Sequence, residues 1–277
     1  MTTESHGVLY VVSTPIGNLD DLSPRARQML AKVEVVAAED TRRTRGLLSS
    51  IGANRTLIAY HDHNESRRTP QLLARLKRGE SVALVSDAGT PLISDPGLKL
   101  VQAALADNLR VVAIPGPSAV LAALAISGLP TDRFVFEGFL PSRAAARRAR
   151  LEGLREERRT LVFFEAVHRI EAALADLAAV FGGARPAALA RELTKLHEAL
   201  YPGTLESLSA RLGEAIPLKG EFVLVVAGDA TPVSGDMAEA QRVFAVLAAE
   251  LPTGQAARLT AAITGVKRNA VYRLTHG

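Results

Sequence analysis

Five short aliphatic runs, each followed by a helical stretch, fill the first half of this chain and leave it few folds to adopt. They are "VLYVVS" (Val8–Ser13), "EVVAAED" (Glu34–Asp40), "TLIAY" (Thr56–Tyr60), "SVALVSD" (Ser81–Asp87) and "VVAIP" (Val111–Pro115). Between them lie "SPRARQMLAKV", with Ser23 as N-cap and Pro24 at the first helical position, and "TRRTRGLLSSIG", read as capped by Thr41 and ended at Gly52. "PQLLARLKRG", "LKLVQAALAD" and "SAVLAALAIS" complete the alternation. Strands that are apolar on both faces and separated by helices belong to a parallel sheet covered on both sides, so the fold class is α/β.

"GLPTDRF" (Gly128–Phe134) reads as a boundary, after which the same grammar restarts. "FVFEGFLP", an Arg-rich helix, "TLVFFEA", "RIEAALADLAAVFG", "AALARELT", "ALYPGTL", "SLSARLGEA" and "EFVLVVAG" predict a second αβα layer system with a mixed sheet. The linker "DATPVSGD" then leads into a helical tail. The expected domains are residues 1–127, 128–230 and 237–277. The sequence holds no cysteine, which excludes disulfides, thiolate metal sites and cysteine nucleophiles and suits a reducing cytoplasm. No apolar run reaches the roughly 18 residues that span a bilayer, and no charged-then-apolar leader is read at the start; no membrane partner is expected. The formal net charge of +4 permits an anionic partner, while four Tyr, eight Phe and no Trp argue against a broad base-stacking platform.

Parallel α/β sheets bind ligands outside the carboxyl ends of their strands. Here those ends run into "STPIGN", "AEDTRRTR", "SDAGTPLISDPG" and "PGPSA", and in the second half into Glu165 with His168 and into "RELTK". Polar residues gathered on one edge predict a cleft. The loop "VSDAGTPLISDPG" (Val85–Gly97) is far longer than the usual two to six residues of a connector and reads as a binding loop. "STPIGN" is neither a dinucleotide fingerprint nor a phosphate-binding P-loop, and no metalloprotease-type His cluster or serine elbow occurs; no metal is expected.

Seven segments, "TPIGNLDDLSPRA", "AEDTRRTRGLL", "SDAGTPLISDPG", "IPGPSAVLAALAISGLPTDRFVFEGFLP", "FFEAVHRI", "RELTKLHE" and "GEFVLVV", carry in order a resemblance that covers residues 7 to 275. The chain resembles the tetrapyrrole-methylase-like superfamily of S-adenosylmethionine (SAM) methyltransferases, in the branch that methylates small-subunit ribosomal RNA. The resemblance implies two αβ domains with SAM in the crease between them, 2′-O-methylation of a cytidine ribose, and a homodimer. In that superfamily a Gly-Asp-Pro loop lies against the cofactor; here it stands as Gly89-Thr90-Pro91.

By the same resemblance Pro15, Asp87, Gly89, Ile93, Ser94, Ser118 and Ala119 are expected at the cofactor from the first domain. Phe164, Leu193 and Gly220 are expected from the second, although Phe164 also reads as plain core. Candidates for a base, or for holding the ribose, are Asn18, Glu39, Asp40, Glu165 and Glu192, with Asp87 also at a strand end. Glu39-Asp40-Thr41 reads equally as a helix N-terminus, and Asn18 as a turn residue. For RNA phosphates the candidates are Arg42 and Arg43, the acid-free cluster Arg143, Arg147, Arg148 and Arg150, and Lys267 and Arg268 in the tail. The Arg-rich helix also reads as an ordinary solvated face. The tail, Thr253 to Leu274, reads as two helices broken at Gly265, either a helix-turn-helix that binds nucleic acid or a structural cap. Two other readings stay open: a tetrapyrrole C-methyltransferase, and an RNA-binding module that keeps the fold without turnover.

Overall fold

The computed structural model describes residues 6–230 and 237–273. The chain divides into two compact units, Met1–Gly228 and Asp229–Gly277. Most of the "DATPVSGD" linker and the last residues of the expected tail, from 274 on, lie outside the described residues.

The first sheet is formed by β1 (Val8–Val12), β2 (Val35–Ala38), β3 (Thr56–Ala59), β4 (Val82–Val85) and β5 (Arg110–Ile114), in the order β3-β2-β4-β1-β5. Every pairing in it is parallel. β2 and β4 are buried at every residue, as central strands covered on both faces must be. Between the strands run α1 (Pro24–Lys32), α2 (Thr41–Ser50), α3 (Glu65–Lys77) and α4 (Leu98–Ala106); α5 (Ala119–Ile126) follows β5. Ser23 caps α1 through a bond from the Ala26 amide, and Pro24 opens the helix. The cap of α2 differs from expectation: Asp40, not Thr41, accepts the Arg42 amide, because Asp40 is the last residue in extended conformation (ψ 111°). α2 ends as expected at Gly52, whose φ of +68° suits glycine. α3 begins five residues before Pro70, which stands inside the helix rather than at its start.

The second sheet comprises β6 (Phe134–Phe139), β7 (Thr160–Ala166), β8 (Pro186–Arg191), β9 (Ala199–Thr204) and β10 (Glu221–Val226), in the order β6-β7-β10-β8-β9. Only β6 and β7 are parallel; the remaining pairings are antiparallel, so this sheet is mixed. α6 (Ala144–Glu152), α7 (Ile170–Phe181) and α8 (Leu205–Arg211) flank it. One cluster of buried residues joins α7 and α8 to β7, β8 and β10 through Phe163, Leu174, Leu177, Leu189, Leu205 and Leu224. The other face packs α5 against Val162, Ala190, Val223 and Val225, which ties the end of the first half onto the second sheet.

The C-terminal unit consists of α9 (Met237–Glu250), α10 (Thr253–Thr264) and α11 (Arg268–Arg273). Gly265, at φ +69°, closes α10 by a bond to the Ala261 carbonyl, the break expected there. Ala240, Ala257, Val266 and Val271 form its small core. No described helix is long and apolar enough to cross a membrane.

Candidate active site

The loops after β1, β4 and β5 are bonded into one wall. Thr14 and Gly89 exchange backbone hydrogen bonds, Thr14 N to Gly89 O at 2.8 Å and Gly89 N to Thr14 O at 3.0 Å. The Thr14 hydroxyl donates to the Ser86 carbonyl at 3.3 Å. Thr90 donates to the Pro117 carbonyl at 3.2 Å and shares a 2.9 Å hydroxyl bond with Ser13. The residue that departs from Gly-Asp-Pro thus joins three strand ends through one hydroxyl. Gly89 stands at φ +83°, a conformation that favours glycine. Leu92 and Ser94 are also left-handed, as are Glu192 and Thr194 in the facing "RELTK" turn; among the described non-glycine residues only Asn108 shares that conformation elsewhere. Backbone strain of this kind, about 1–3 kcal/mol per residue, persists where surrounding structure holds it, and here it flanks a single cleft.

That cleft measures ≈ 410 Å³, in the range of small-molecule sites. On the first-sheet side it is lined by Ile16, Glu39, the run Asp87–Thr90, Ile93–Asp95, and Ser118 with Ala119. On the second-sheet side stand Phe139, Phe164–Ala166, Leu193 and Glu221–Val223. Phe164 meets the edges of Phe136 and Phe139 at centroid distances of 4.9 and 5.7 Å. Two positions three apart would face opposite ways on a regular strand. A bulge between Phe136 and Gly138 shifts the register and turns Phe139 into the cleft. The aromatic residues Phe139, Phe164 and Phe222 thus lie on the second-sheet side, beside Glu165 and Glu221, while Glu39, Asp87 and Asp95 make an acidic end on the first-sheet side.

At the acidic end Glu39, Asp87 and Asp95 line one wall. The Asp87 amide donates to Glu39 at 3.2 Å, and the Asp87 carboxylate accepts the Asp40 amide at 2.9 Å and faces Arg43 at 3.4 Å. Asp95 is half-buried, and its pKa is pushed up to about 6, first by burial and then by the Glu39 charge, with Asp87 and Asp62 adding to it against a bond from Ser86. Glu165, buried at 3 % exposure, is raised by burial against the Ala166 amide and Arg169; one of its oxygens has no hydrogen-bond partner. Among the described residues no group of His, Cys, Asp or Glu is arranged to hold a metal ion.

Most of the residues expected at the cofactor meet here: Asp87, Gly89, Ile93, Ser94, Ser118, Ala119, Phe164 and Leu193 all line the cleft, as do Glu39 and Glu165. Pro15 and Gly220 do not, although Ile16 and Glu221 beside them do. A Cβ on Gly220 would fall 2.5 Å from the Glu192 side chain, so this glycine makes room for Glu192. Two base candidates, Asp40 and Glu192, and Asn18, a candidate for orienting a ligand, do not line the cleft. Asn18 caps the short 3-10 turn Leu19–Asp21 by accepting the Asp20 amide. Asp40 caps α2 and binds Arg42 at 2.7 Å, and that bond holds its carboxyl well below the usual range. Glu192 is raised by burial, but Lys195 at 2.9 Å and the Glu221 amide outweigh this and leave it lowered. Carboxylates held in ion pairs are poor proton acceptors, and neither lines the cleft. The sequence reading missed Ile16, Asp95 and Phe139; the glycine inside "FVFEGF" was the available sign of a bulge.

The arginines of the Arg-rich helix differ in exposure and pairing. Arg147 is 5 % exposed, bonds Asp176 at 2.6 Å and donates to the carbonyls of Pro141 and Ser142. It holds α6 to α7 and is not presented to a phosphate. Arg148 and Arg150 are exposed but paired with Asp176 and Glu137 at 2.6 Å each, while Arg143 lies exposed before the helix. Arg42, Arg43, Lys267 and Arg268 are exposed.

The residues fit SAM, a molecule with a sulfonium, an ammonium, a carboxylate and a purine. The three carboxylates suit its positive groups, and the aromatic side suits a purine face. The start of α5, with Ser118 as cap, offers helix N–H groups that suit a carboxylate.

The profile of the family described as Tetrapyrrole (Corrin/Porphyrin) Methylases matches residues 8–209, and one described as the RsmI C-terminal HTH domain matches residues 234–276. A protein of Xylella fastidiosa strain Temecula1 named ribosomal RNA small subunit methyltransferase I is 52% identical over 267 residues, 96% of this chain and 98% of that protein. One of the same name from Pseudomonas aeruginosa is 51% identical, over 97% of this chain and 96% of the other. Among solved structures, the cobalt precorrin-4 methyltransferase CbiF superposes with a TM-score of 0.62 at 14% identity, over 82% of this chain and 97% of that one, a likeness of fold.

Proposed function

The chain belongs to the tetrapyrrole methylase family, among the ribosomal RNA small subunit methyltransferase I proteins, and from that premise we propose how its cleft works. It is a SAM-dependent methyltransferase of small-subunit ribosomal RNA. Near-full-length identity of about half to proteins of that name carries this conclusion. Bound in the cleft, SAM supplies a methyl group activated by a sulfonium. The acceptor in our reading is the 2′-hydroxyl of a cytidine ribose. A hydroxyl must lose a proton on methylation, which a ring-nitrogen lone pair need not, and carboxylates that line the cleft supply proton acceptors.

In this reading Asp87, Gly89, Ile93, Ser94, Ser118, Ala119, Phe164 and Leu193 hold the cofactor, with Pro15 and Gly220 shaping the turns beside them. Holding donor and acceptor in line supplies up to roughly 7–11 kcal/mol of the barrier when alignment is good. Glu39 orients the acidic wall through the Asp87 amide. Arg42, Arg43, Arg143, Arg148, Arg150, Lys267 and Arg268 take RNA phosphates, the paired ones exchanging a carboxylate for a phosphate. We place the domain boundary between α5 and β6, at 127/128, and assign RNA binding to residues 237–277. Apolar side chains exposed on α4 (Leu98, Leu105) and α5 (Leu121, Ile126) support a homodimer, and the absence of cysteine from the sequence supports a cytoplasmic site of action.

The test incubates the protein with labelled SAM and either small-subunit particles or a tetrapyrrole. Label in an alkali-resistant dinucleotide at a cytidine is expected. Label on a base atom overturns the ribose assignment, and label only in the tetrapyrrole overturns the RNA assignment.

A further inference from the structure

The helices on the two faces of the first sheet differ in charge. On one face Ala26 and Leu30 of α1 and Leu48 of α2 share a buried cluster with Val12, Val36, Ala38 and Val85. On the other, Leu72 and Leu76 of α3 and Leu100 and Ala104 of α4 pack against Leu9, Val35, Ala37 and Leu84. The α3–α4 face has acids for its cations: Arg75 and Arg78 pair with Glu80, Lys77 with Asp107, and Lys99 with Glu65. The stretches 22–33 and 41–60, which build the α1–α2 face, contain no acid. Arg25, Arg27 and Lys32 of α1 and Arg45 of α2 are exposed there, and none forms an ion pair among the described residues. Of the carboxylates around β2, Glu34 is taken by the Ser81 amide, Glu39 by the Asp87 amide and Asp40 by Arg42. Cations gathered without counter-charge repel one another, and such a patch is the footprint of a polyanion.

A cavity of ≈ 460 Å³ opens on this face where α2 ends and β3 begins, lined by Arg45, Ser49, Asn54 and Arg55 with Leu48 and Leu57. Arg55 is tethered, because one Nη donates to the Ala31 carbonyl near the end of α1. Its Nε is closed off from solvent and has no acceptor among the described residues. A buried donor without an acceptor is costly, and more so on a charged group. An oxyanion in the cavity would find two guanidinium groups, a hydroxyl and a side-chain amide. α2 links this cavity to the cleft. Arg43 in its first turn faces Asp87 of the cleft wall, and its ten residues run about 15 Å at about 1.5 Å each. That length matches about four nucleotides of a stacked strand at about 3.4 Å each.

We propose that the α1–α2 face is a track for the phosphates of ribosomal RNA. The strand leaves the cleft along Arg42 and Arg45 and sets a phosphate in the cavity between Arg45 and Arg55, with Arg25, Arg27 and Lys32 beside it on α1. The assignment rests on the reading that small-subunit RNA is the substrate. Contacts of this kind read no base; they fix register and orientation. The track therefore positions the acceptor nucleotide by gripping its neighbours, while the cleft holds the methyl donor.

The experiment measures binding of the full-length protein to small-subunit particles across a salt series. Each phosphate contact contributes about 0.7 to 0.9 to the slope of log affinity against log salt. Arg45→Gln/Arg55→Gln should therefore flatten the slope by about 1.4 to 1.8, and Arg25→Gln/Arg27→Gln/Lys32→Gln by about 2 to 3. Arg45→Gln alone, which breaks no bond, should flatten it by about 0.7 to 0.9. SAM affinity should stay unchanged in all of them. Arg67→Gln, at an exposed position on α3 of the opposite face, should leave the slope as in wild type. Because the sequence has no cysteine, Ser49→Cys offers a single thiol for a photoreactive group; it should crosslink ribosomal RNA, and Ser66→Cys on α3 should not. Unchanged slopes in the α1 and α2 variants overturn the track, as does an Arg67→Gln effect equal to that of Arg45→Gln, or equal crosslinking from the two thiols. Inorganic phosphate that binds wild type and not Arg45→Gln/Arg55→Gln, with particle binding unaltered, assigns the cavity to a small anion and overturns its RNA occupant. If wild type itself shows no salt-dependent binding to the particles, the RNA reading falls and takes the track with it. If wild type binds and the variants match it, the track falls alone.

Discussion

Glu39 and Asp87, at the ends of neighbouring strands β2 and β4, hold each other's surroundings in place: the Asp87 amide binds Glu39, and the Asp87 carboxylate binds the amide that follows Glu39. Two carboxylates so close would repel if free to move. Backbone donors fix each one and leave the cleft with a rigid negative wall, preorganised for a cationic ligand.

Asp87→Ala therefore removes charge from the cleft and also frees Arg43 and the Asp40 amide. Hydrogen bonds to charged groups are worth about 1.5–3 kcal/mol, so SAM affinity should fall by roughly 10- to 150-fold. Calorimetry checks this, with melting temperature as the control for folding. Unchanged SAM affinity would remove Asp87 from the cofactor site.

Arg147 makes a prediction of the opposite kind. Replacing it with Ala leaves Asp176 buried with Arg148 as its remaining partner and removes the bonds to the Pro141 and Ser142 carbonyls, a loss of about 1.5–3 kcal/mol. For a unit of this size the melting temperature should drop by about 3–12 °C. Arg143→Ala, at an exposed position, should stay within about 0.5 kcal/mol of wild type and reduce the salt dependence of RNA binding by the share of roughly one phosphate. A stable Arg147→Ala protein with weakened RNA binding would restore this arginine to the phosphate surface.

The Arg-rich helix shows where sequence reasoning reaches its limit. Within "SRAAARRAR" no acid is visible, and the cluster looks uniformly free. Arg147 and Arg150 find their partners Asp176 and Glu137 on α7 and β6, and only folding brings them near. The strands, helices and polar strand ends were legible because each rests on local periodicity and on a general rule about parallel sheets. Phe139 was not, because strict alternation puts it on the wrong face and only the bulge before Gly138 corrects that. Asp95 was passed over among the turn residues of its own loop. What raises its pKa is burial and then the company of Glu39, Asp87 and Asp62, two of which other stretches of chain supply.

Asp95 also gives stability a pH dependence whose sign can be worked out. Its carboxyl titrates near 6 in the folded protein against an ordinary value of 3.8. Between these values the folded state holds a proton that the unfolded chain has lost, so stability falls as pH rises through this window. Asn cannot ionise. Asp95→Asn should match wild type in melting temperature below about pH 4, gain on it through the window, and keep the full gain above about pH 6. Melting curves from pH 3.5 to 8 on both proteins report this contribution together with its coupling to Glu39, Asp62 and Asp87, since carboxylates remote from Asp95 cancel in the difference. A difference that does not vary with pH would show that Asp95 titrates normally.

The C-terminal unit poses a question of role rather than of existence. α9, α10 and α11 close over their own small core, and on α10 Ala257 and Thr260 are buried while Ile263 is 63 % exposed. Arg258, Lys267 and Arg268 are exposed on the same unit. Every residue that lines the cleft precedes Gly228 in the chain. Truncation after Asp236 should therefore leave SAM affinity nearly unchanged while weakening RNA binding. Each phosphate of single-stranded RNA that a basic side chain neutralises steepens the fall of log affinity with log salt by about 0.7, so removing three such side chains should flatten the slope by roughly 2. The double variant Arg258→Gln/Lys267→Gln, which keeps the unit folded, should give an intermediate slope and separate charge from bulk. If the truncated protein instead loses SAM or its oligomeric state and keeps its RNA affinity, these helices are a structural cap, and phosphate binding belongs to Arg42, Arg43 and the exposed face of α6.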